Sequence, residues 1–211
     1  MTAIKGARER ARGEITAAIK DEARRQLAAE GAAKLSLRAV ARELGMVSSA
    51  LYRYFPSRDD LLTALILDAY NAVGQAAETA LAETDARANA GTKAGAKAGA
   101  AAGRRGSGGA TPPPAVRWTA VCHAVRKWAL AHPHEYALLY GSPVPGYHAP
   151  DATAEPAGRV ARALIEVVRD AYVAGALREP SEALPDAVVG DMLALAAEQG
   201  VELPAVVVAR L

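Results

Sequence analysis

Apolar residues recur every three or four positions over most of this chain, the spacing that places them on one face of an α-helix. Strand-like runs are scarce, and Ala, Leu, Val and Arg dominate the composition. An all-α fold is therefore expected. The pattern predicts two short helices between residues 36 and 55, a long helix that starts near residue 57, and further helices over 13–30, 157–174 and 185–199.

A tight turn is predicted between the two short helices. Gly45 stands where the first of them must end, because glycine accepts the left-handed backbone that closes a last helical turn. Ser36 precedes the same helix, where its hydroxyl can accept a hydrogen bond from a backbone N–H that has no partner within the helix.

The second short helix presents two different faces. Val47, Leu51 and Phe55 are expected in the core, whereas Ser48 and Ser49 are expected at the surface. A short helix with one buried side and small polar groups on the other suits the major groove of DNA. The pattern therefore favours a helix-turn-helix.

The run LRAVARELGMVSSALYRYFPSRDDLL resembles the N-terminal DNA-binding domain of the TetR family of bacterial transcription regulators. Its most diagnostic part is ALYRYFPSR at 50–58, and the resemblance covers residues 12–75. It implies an N-terminal three-helix helix-turn-helix domain followed by a C-terminal helical-bundle regulatory domain. It also implies a homodimer that binds a near-palindromic double-stranded operator, most simply as a repressor controlled by a small molecule. An activator, or a repressor without a ligand, is the alternative within the family.

The resemblance also implies a role for individual side chains. The residues expected to read bases are Ser48, Ser49 and Ala50 at the start of the second short helix, together with Arg38 in the first. Phosphate anchoring falls to Ser36, Tyr52, Arg53, Tyr54 and Arg58. For Tyr54 a place in the core is the alternative.

A second stretch, over 117–147, is similar to a C-terminal domain type named for tryptophan, histidine and glycine positions. Trp128, His132 and Gly141 match those positions. Members of that branch continue past the position of Leu211 with an amphipathic helix that normally supplies half of the dimer interface.

Composition and pattern together divide the chain into five segments. They are a basic flexible arm over 1–12, the helix-turn-helix domain over 13–60, a long connecting helix over 61–83, a low-complexity flexible insertion over 84–115 and a helical ligand-binding and dimerisation domain over 116–211. The insertion is interpreted as flexible because its alanine and glycine side chains bury too little apolar surface to offset the entropy of ordering.

Charge and cysteine content fit an intracellular DNA-binding protein. The net charge of +2 divides unevenly, since residues 1–60 hold 12 basic and 8 acidic side chains whereas residues 116–211 hold 8 and 11. A basic head suits the phosphate backbone. A single cysteine excludes an internal disulfide, and no apolar run is long enough to span a bilayer, so a cytoplasmic protein without membrane contact is expected.

A small apolar effector is expected to bind in the C-terminal domain and tilt the long helix, which would change the spacing of two recognition helices. The candidate pocket residues are Trp118, Cys122, Trp128, Tyr136, Tyr140 and Tyr172. Aromatic residues at helical spacing are also typical of an ordinary core, and that interpretation stays open for each of them.

Two other classes of function compete with this hypothesis. An enzyme would need a nucleophile and base that face each other, but adjacent helical residues such as Cys122 and His123 point in different directions. The run HPHE at 132–135 offers metal-ligand types without a second cluster, so no metal, cofactor or catalysis is expected. A helical protein-interaction module with no DNA role is the other alternative.

Overall fold

The computed structural model describes residues 2–100, 111–177, 184–198, 200 and 202–209. Over these residues it contains no β-strand, which confirms the all-α class. None of the described helices is long and apolar enough to cross a membrane. The helices are α1 (Thr2–Glu30), α2 (Leu37–Glu43), α3 (Ser48–Leu51), α4 (Arg58–Ala100), α5 (Pro114–Ala131), α6 (Pro133–Tyr140), α7 (Ala154–Ala157), α8 (Arg159–Val173), α9 (Asp186–Glu198) and α10 (Ala205–Val208).

Two of these helices are longer than the pattern predicted. Helix α1 begins at Thr2 rather than at residue 13, so the segment predicted as a flexible basic arm is helical. Helix α4 continues to Ala100 through the first half of the predicted flexible insertion. Alanine, arginine and lysine favour a helix, so segments rich in them can be helical with few large apolar side chains. Residues 101–110 of the predicted insertion lie outside the described residues.

The helices form two compact units. The first contains Met1–Ala72 and Trp128–Ala157, and the second contains Val73–Lys127 and Gly158–Leu211. By its packing, the segment 128–157 lies in the unit of the helix-turn-helix. The ligand-binding and dimerisation domain over 116–211 stays a prediction.

The core of the first unit joins α1, α2, α3 and the start of α4. Ile19, Val40, Leu51 and Leu61 are each 0% exposed there. Full burial of a side chain of this size stabilises the fold by about 1.5–3 kcal/mol. Leu138, Val144 and Tyr147 pack against the same core from the later segment.

Ion pairs attach α6 to α1 and α4 within this unit. Arg24 on α1 lies 3.0 Å from the Glu135 carboxylate on α6 and 2.7 Å from that of Asp68 on α4. Lys20 lies 2.7 Å from the same Asp68. These contacts give a physical reason why α6 is part of the unit that holds the recognition helix.

The second unit packs α4, α5 and α8 around Leu81, Val121 and Val167. One charged side chain lies among these apolar residues, since Arg117 on α5 is only 3% exposed. Its guanidinium lies 2.9 Å from the carboxylates of both Asp85 on α4 and Asp170 on α8. A single arginine therefore connects three helices of the unit.

Candidate nucleic-acid interface

The turn before the recognition helix is built by backbone hydrogen bonds that need a glycine. Gly45 has φ of 64°, as its predicted place at the end of α2 requires. The Met46 N–H donates to the Ala41 carbonyl at 2.8 Å, and the Gly45 N–H donates to the Arg42 carbonyl at 3.1 Å. This pair of bonds is the Schellman motif, which satisfies carbonyls that the helix leaves free.

Serine caps hold the starts of the two helices on either side of the recognition helix. Ser36 Oγ accepts from the Ala39 N–H at 3.4 Å, so the predicted cap of α2 is confirmed. Before α4, Ser57 Oγ accepts from the Asp60 N–H at 3.0 Å and donates to the Asp60 carboxylate at 2.6 Å. These caps fix where α2 and α4 begin on either side of α3.

Helix α3 buries one residue and exposes the two serines beside it. Leu51 is 0% exposed, whereas Ser48 and Ser49 lie at the surface. The helix ends at Leu51, four residues before the predicted end at residue 55, and continues as turns closed by bonds from the Tyr54 and Phe55 N–H groups to the Leu51 carbonyl. The recognition segment is therefore one helical turn with a polar outer face.

Val47 does not lie in the core as predicted. Its side chain is 69% exposed, because it occupies the extended residue before α3 rather than the helical face that carries Leu51. An exposed valine beside two serines is a further candidate for contact with a thymine methyl group. The sequence pattern did not indicate that Val47 is exposed, because apolar spacing alone does not show at which residue a helix starts.

The predicted DNA contacts all lie in the first unit, but they differ in exposure. Five are exposed, namely Arg38, Ser48, Ser49, Tyr52 and Arg53, and four are partly buried, namely Ser36, Ala50, Tyr54 and Arg58.

Two arginines connect neighbouring elements of the helix-turn-helix domain. Arg12 lies over the Tyr54 ring, 5.2 Å from its centroid, and its Nη2 donates to the Arg53 carbonyl at 3.4 Å. Arg58 Nη2 donates to the carbonyls of Ala32 at 2.9 Å and Ala33 at 3.4 Å. Arg12 belongs to the segment predicted as a basic arm, and Arg58 supports the turn before α2, whereas its predicted phosphate role stays a prediction.

The predicted pocket residues are divided between the two units. Trp128, Tyr136 and Tyr140 belong to the first, and Trp118, Cys122 and Tyr172 belong to the second. Cys122 is exposed, and Trp118 is 38% exposed. None of the six lines either of two cavities in the described structure, one bordered by Leu27 and Pro143 and one bordered by Glu78 and Arg162. The six residues therefore remain a prediction.

Three tyrosines form an aromatic cluster in the first unit. The Tyr140 ring lies 5.0 Å from that of Tyr136 and 6.2 Å from that of Tyr70, measured between centroids. Burial, together with these two neighbours, raises the pKa of Tyr140 above its ordinary value of 10.0. The phenol therefore stays protonated and uncharged at neutral pH.

The tryptophan, histidine and glycine positions all shape helix α6. Trp128 is buried, and the His132 ring stacks on it at 5.0 Å with an interplanar angle of 21°. The residue that precedes α6 is His132, and the residue that follows it is Gly141. A Cβ atom on Gly141 would lie 2.3 Å from the Ala137 carbonyl oxygen, a distance that no side chain tolerates.

Two residues of the run HPHE at 132–135 have contacts that account for them without a metal ion. His132 stacks on Trp128, and Glu135 pairs with Arg24. Within the described residues, no group of three or more His, Cys, Asp or Glu side chains is placed to hold a metal ion.

Comparison with known proteins places this geometry in a family. Residues 19–65 match the model of bacterial regulatory proteins of the tetR family, and residues 118–198 match that of the tetracyclin repressor-like C-terminal domain. The HTH-type transcriptional regulator Rv1816 of Mycobacterium tuberculosis is 42% identical over 200 residues, which cover 92% of this chain and 73% of that protein. The chain belongs to the TetR family of transcriptional regulators.

Solved structures agree with this assignment. The crystal structure of SCO4313 has 33% sequence identity and a TM-score of 0.62, and the match covers 96% of this regulator and 78% of that chain. PfmR of Thermus thermophilus, a TetR family transcriptional regulator, shares the fold at a TM-score of 0.54 and 20% identity, over 91% and 92% of the two chains. The regulator is thus a DNA-binding, helix-turn-helix protein of a family of regulators rather than of enzymes.

Proposed function

We propose that this regulator represses transcription by binding a near-palindromic operator as a homodimer, and that a small molecule controls the binding. The observation that carries the proposal is the pairing of exposed Ser48 and Ser49 with a fully buried Leu51 on α3. Two such helices, related by a two-fold axis, enter successive major grooves roughly 34–36 Å apart. Operator binding also requires a cytoplasmic location.

Base reading and phosphate anchoring are assigned to different side chains. The exposed Arg38 supplies the strongest base preference, because a guanidinium can bind guanine O6 and N7 together. Ser48, Ser49 and Ala50 add weaker readout. Arg53, with the remaining predicted anchors Ser36, Tyr52, Tyr54 and Arg58, contacts the backbone and fixes the register without reading sequence.

Genome-wide selection of bound fragments by purified protein tests this function. A near-palindromic motif whose half-sites are one helical turn apart is expected, together with an affinity that falls steeply as salt rises. Binding that shows neither a shared motif nor a salt dependence would favour a protein-docking module and reject the proposal.

We expect Arg38→Ala and Arg53→Ala to weaken operator binding in different ways. Arg38→Ala is expected to weaken operator binding by about 1–3 kcal/mol and to relax the base preference at one position of each half-site. Arg53→Ala is expected to weaken all sequences alike and to lower the slope of log affinity against log salt by about 1 per subunit. Mobility-shift titrations on the selected operator and on single-base variants, at several salt concentrations, measure both effects. Equal loss on every base variant for Arg38→Ala would contradict its role in base reading.

A further inference from the structure

The start of α1 projects beyond the core of the first unit. Ile19, Ala23 and Leu27 on α1 are buried, whereas residues 7–15 are all exposed. An α-helix rises 1.5 Å per residue, so the segment over 2–12 is about 15 Å long. Because the side chains of residues 7–15 are exposed, burial in the core does not account for this part of the helix.

Arg12 shows which side of α1 faces the recognition segment. Its Nη2 donates to the Arg53 carbonyl at 3.4 Å, and its guanidinium lies 5.2 Å from the centroid of the Tyr54 ring. Along α1, the buried Ile19 lies on the C-terminal side of this contact. The residues before Arg12 therefore continue past the recognition segment and away from the core.

Arg8 lies on the same side of α1 as Arg12, one turn nearer the start of the helix. Residues four apart are neighbours on a helix surface, and these two are about 6 Å apart along the axis. Arg8 is exposed. Arg10 is also exposed, but it is two residues from both and so lies on the opposite side of the helix. Helix α1 thus carries Arg8 beyond Arg53 on the side that contacts the recognition segment.

The charge of this surface matches a polyanion. Residues 2–12 hold four basic side chains and one acidic side chain. A DNA duplex carries one negative charge per about 1.7 Å of its axis, and its phosphates extend beyond the bases that a recognition helix can read. The surface is also continuous with the exposed Tyr52 and Arg53, which are predicted phosphate anchors. Charge complementarity and this continuity favour the flank of the operator as the partner.

We propose that the start of α1 is part of the DNA-binding surface, and that Arg8 contacts a backbone phosphate outside the bases read by α3. The inference rests on the proposed operator binding. It extends the bound DNA beyond each half-site, because a phosphate contact strengthens binding without reading sequence.

Arg8→Ala tests the proposal, with Arg10→Ala as the matched control. Each change removes one exposed arginine from the same segment and introduces alanine, the best helix former. One lost phosphate contact per subunit lowers the slope of log affinity against log salt by about 0.9, or about 2 for a dimer. The affinity lost by Arg8→Ala is therefore expected to be about tenfold larger in about 50 mM salt than in about 200 mM salt. Arg10→Ala is expected to keep the original slope and affinity within about twofold.

The length of the operator separates a flanking contact from a contact within the half-site. Mobility shift at low salt compares duplexes that end at the outer edges of the half-sites with duplexes that are one helical turn longer on each side. The original protein and Arg10→Ala are expected to prefer the longer duplex by about tenfold, the effect of two phosphate contacts. Arg8→Ala is expected to bind both lengths alike and to select the same base motif as the original protein.

The outcomes distinguish this inference from the proposed function. Equal losses for Arg8→Ala and Arg10→Ala would show that total charge matters rather than the side that faces the recognition segment, and would overturn the inference. An unchanged preference for the longer duplex in Arg8→Ala would also overturn it, with circular dichroism confirming that both variants are folded. Either result leaves operator binding intact, whereas failure of the original protein to select any operator refutes the proposed function and this inference together.

Discussion

Replacing Arg117 with methionine is expected to lower the free energy of unfolding by about 1.5–3 kcal/mol, because the change leaves two partly buried carboxylates without their shared cation. The side chain is 3% exposed and lies 2.9 Å from both Asp85 and Asp170. Arg117 Nη2 donates a hydrogen bond to the Asp85 carboxylate at 3.1 Å, whereas the 2.9 Å contact through Nε lacks the alignment of a hydrogen bond and is an ion pair only. Urea unfolding followed by circular dichroism measures the loss.

Arg87→Met is the control for this prediction. Arg87 lies on the same helix as Asp85 and is paired with Glu83 at 2.7 Å, but its side chain is 74% exposed. Exposed pairs four residues apart contribute about 0.3–0.5 kcal/mol, so the control is expected to unfold almost as the original protein does. Similar losses for the two substitutions would show that burial of Arg117 has no special effect on stability.

The deficit of the Arg117 variant is also expected to depend on pH. Burial opposes ionisation of Asp170, but hydrogen bonds from Arg169 and Arg117 more than offset it, so the pKa of Asp170 lies below its ordinary 3.8. A lowered carboxyl pKa stabilises the folded state above the ordinary value, and the benefit is lost as the pH falls through the folded-state pKa. The difference between original and variant should therefore be constant near neutral pH and narrow in acid below 3.8.

A single methyl group at Gly141 is expected to cost about 3 kcal/mol, the upper part of the usual range for overpacking. The added Cβ would meet the Ala137 carbonyl oxygen at 2.3 Å, and a backbone oxygen cannot move aside as a side chain can. The Gly141 N–H donates to the same oxygen at 2.9 Å, so relief of the clash would break this bond. Thermal and urea unfolding of Gly141→Ala measure the effect.

Gly13→Ala is the control in the same unit, and it is expected to raise stability instead of lowering it. Gly13 lies inside α1, and a Cβ there would meet nothing within 4 Å. Alanine in a helix is favoured over glycine by about 0.5–1 kcal/mol, so this variant is expected to be more stable than the original. If the two glycine variants changed stability alike, the close approach at Gly141 would not be what requires glycine there.

The helix-turn-helix could be predicted because its determinants are local. The left-handed Gly45, the cap at Ser36 and the spacing that buries Leu51 each act within a few residues, and the structure shows all three. The errors of that prediction are local as well. Val47 was assigned to the core because it fits the apolar spacing, although the helix starts one residue later.

The extents of α1 and α4 show where apolar periodicity fails as a criterion. Both helices continue through segments that hold few large apolar side chains, so the pattern gave no signal of them. Alanine favours a helix even at the surface, but residues 91–100 also hold three glycines, so helix propensity gives no clear signal for the end of α4.

The amino-acid sequence by itself determined the all-α class, the recognition turn and the family, because capping, turn and spacing signals are carried by neighbouring residues. The tertiary structure alone decided that α6 belongs with the DNA-binding helices, through the pairing of Arg24 with Glu135, which are 111 residues apart. It also decided that mostly apolar residues line the open cavity of the first unit, whereas five of the eight residues that line the cavity of the second unit carry charge. Ion pairs and cavities form between residues distant in the chain, and no local pattern specifies which of them will meet.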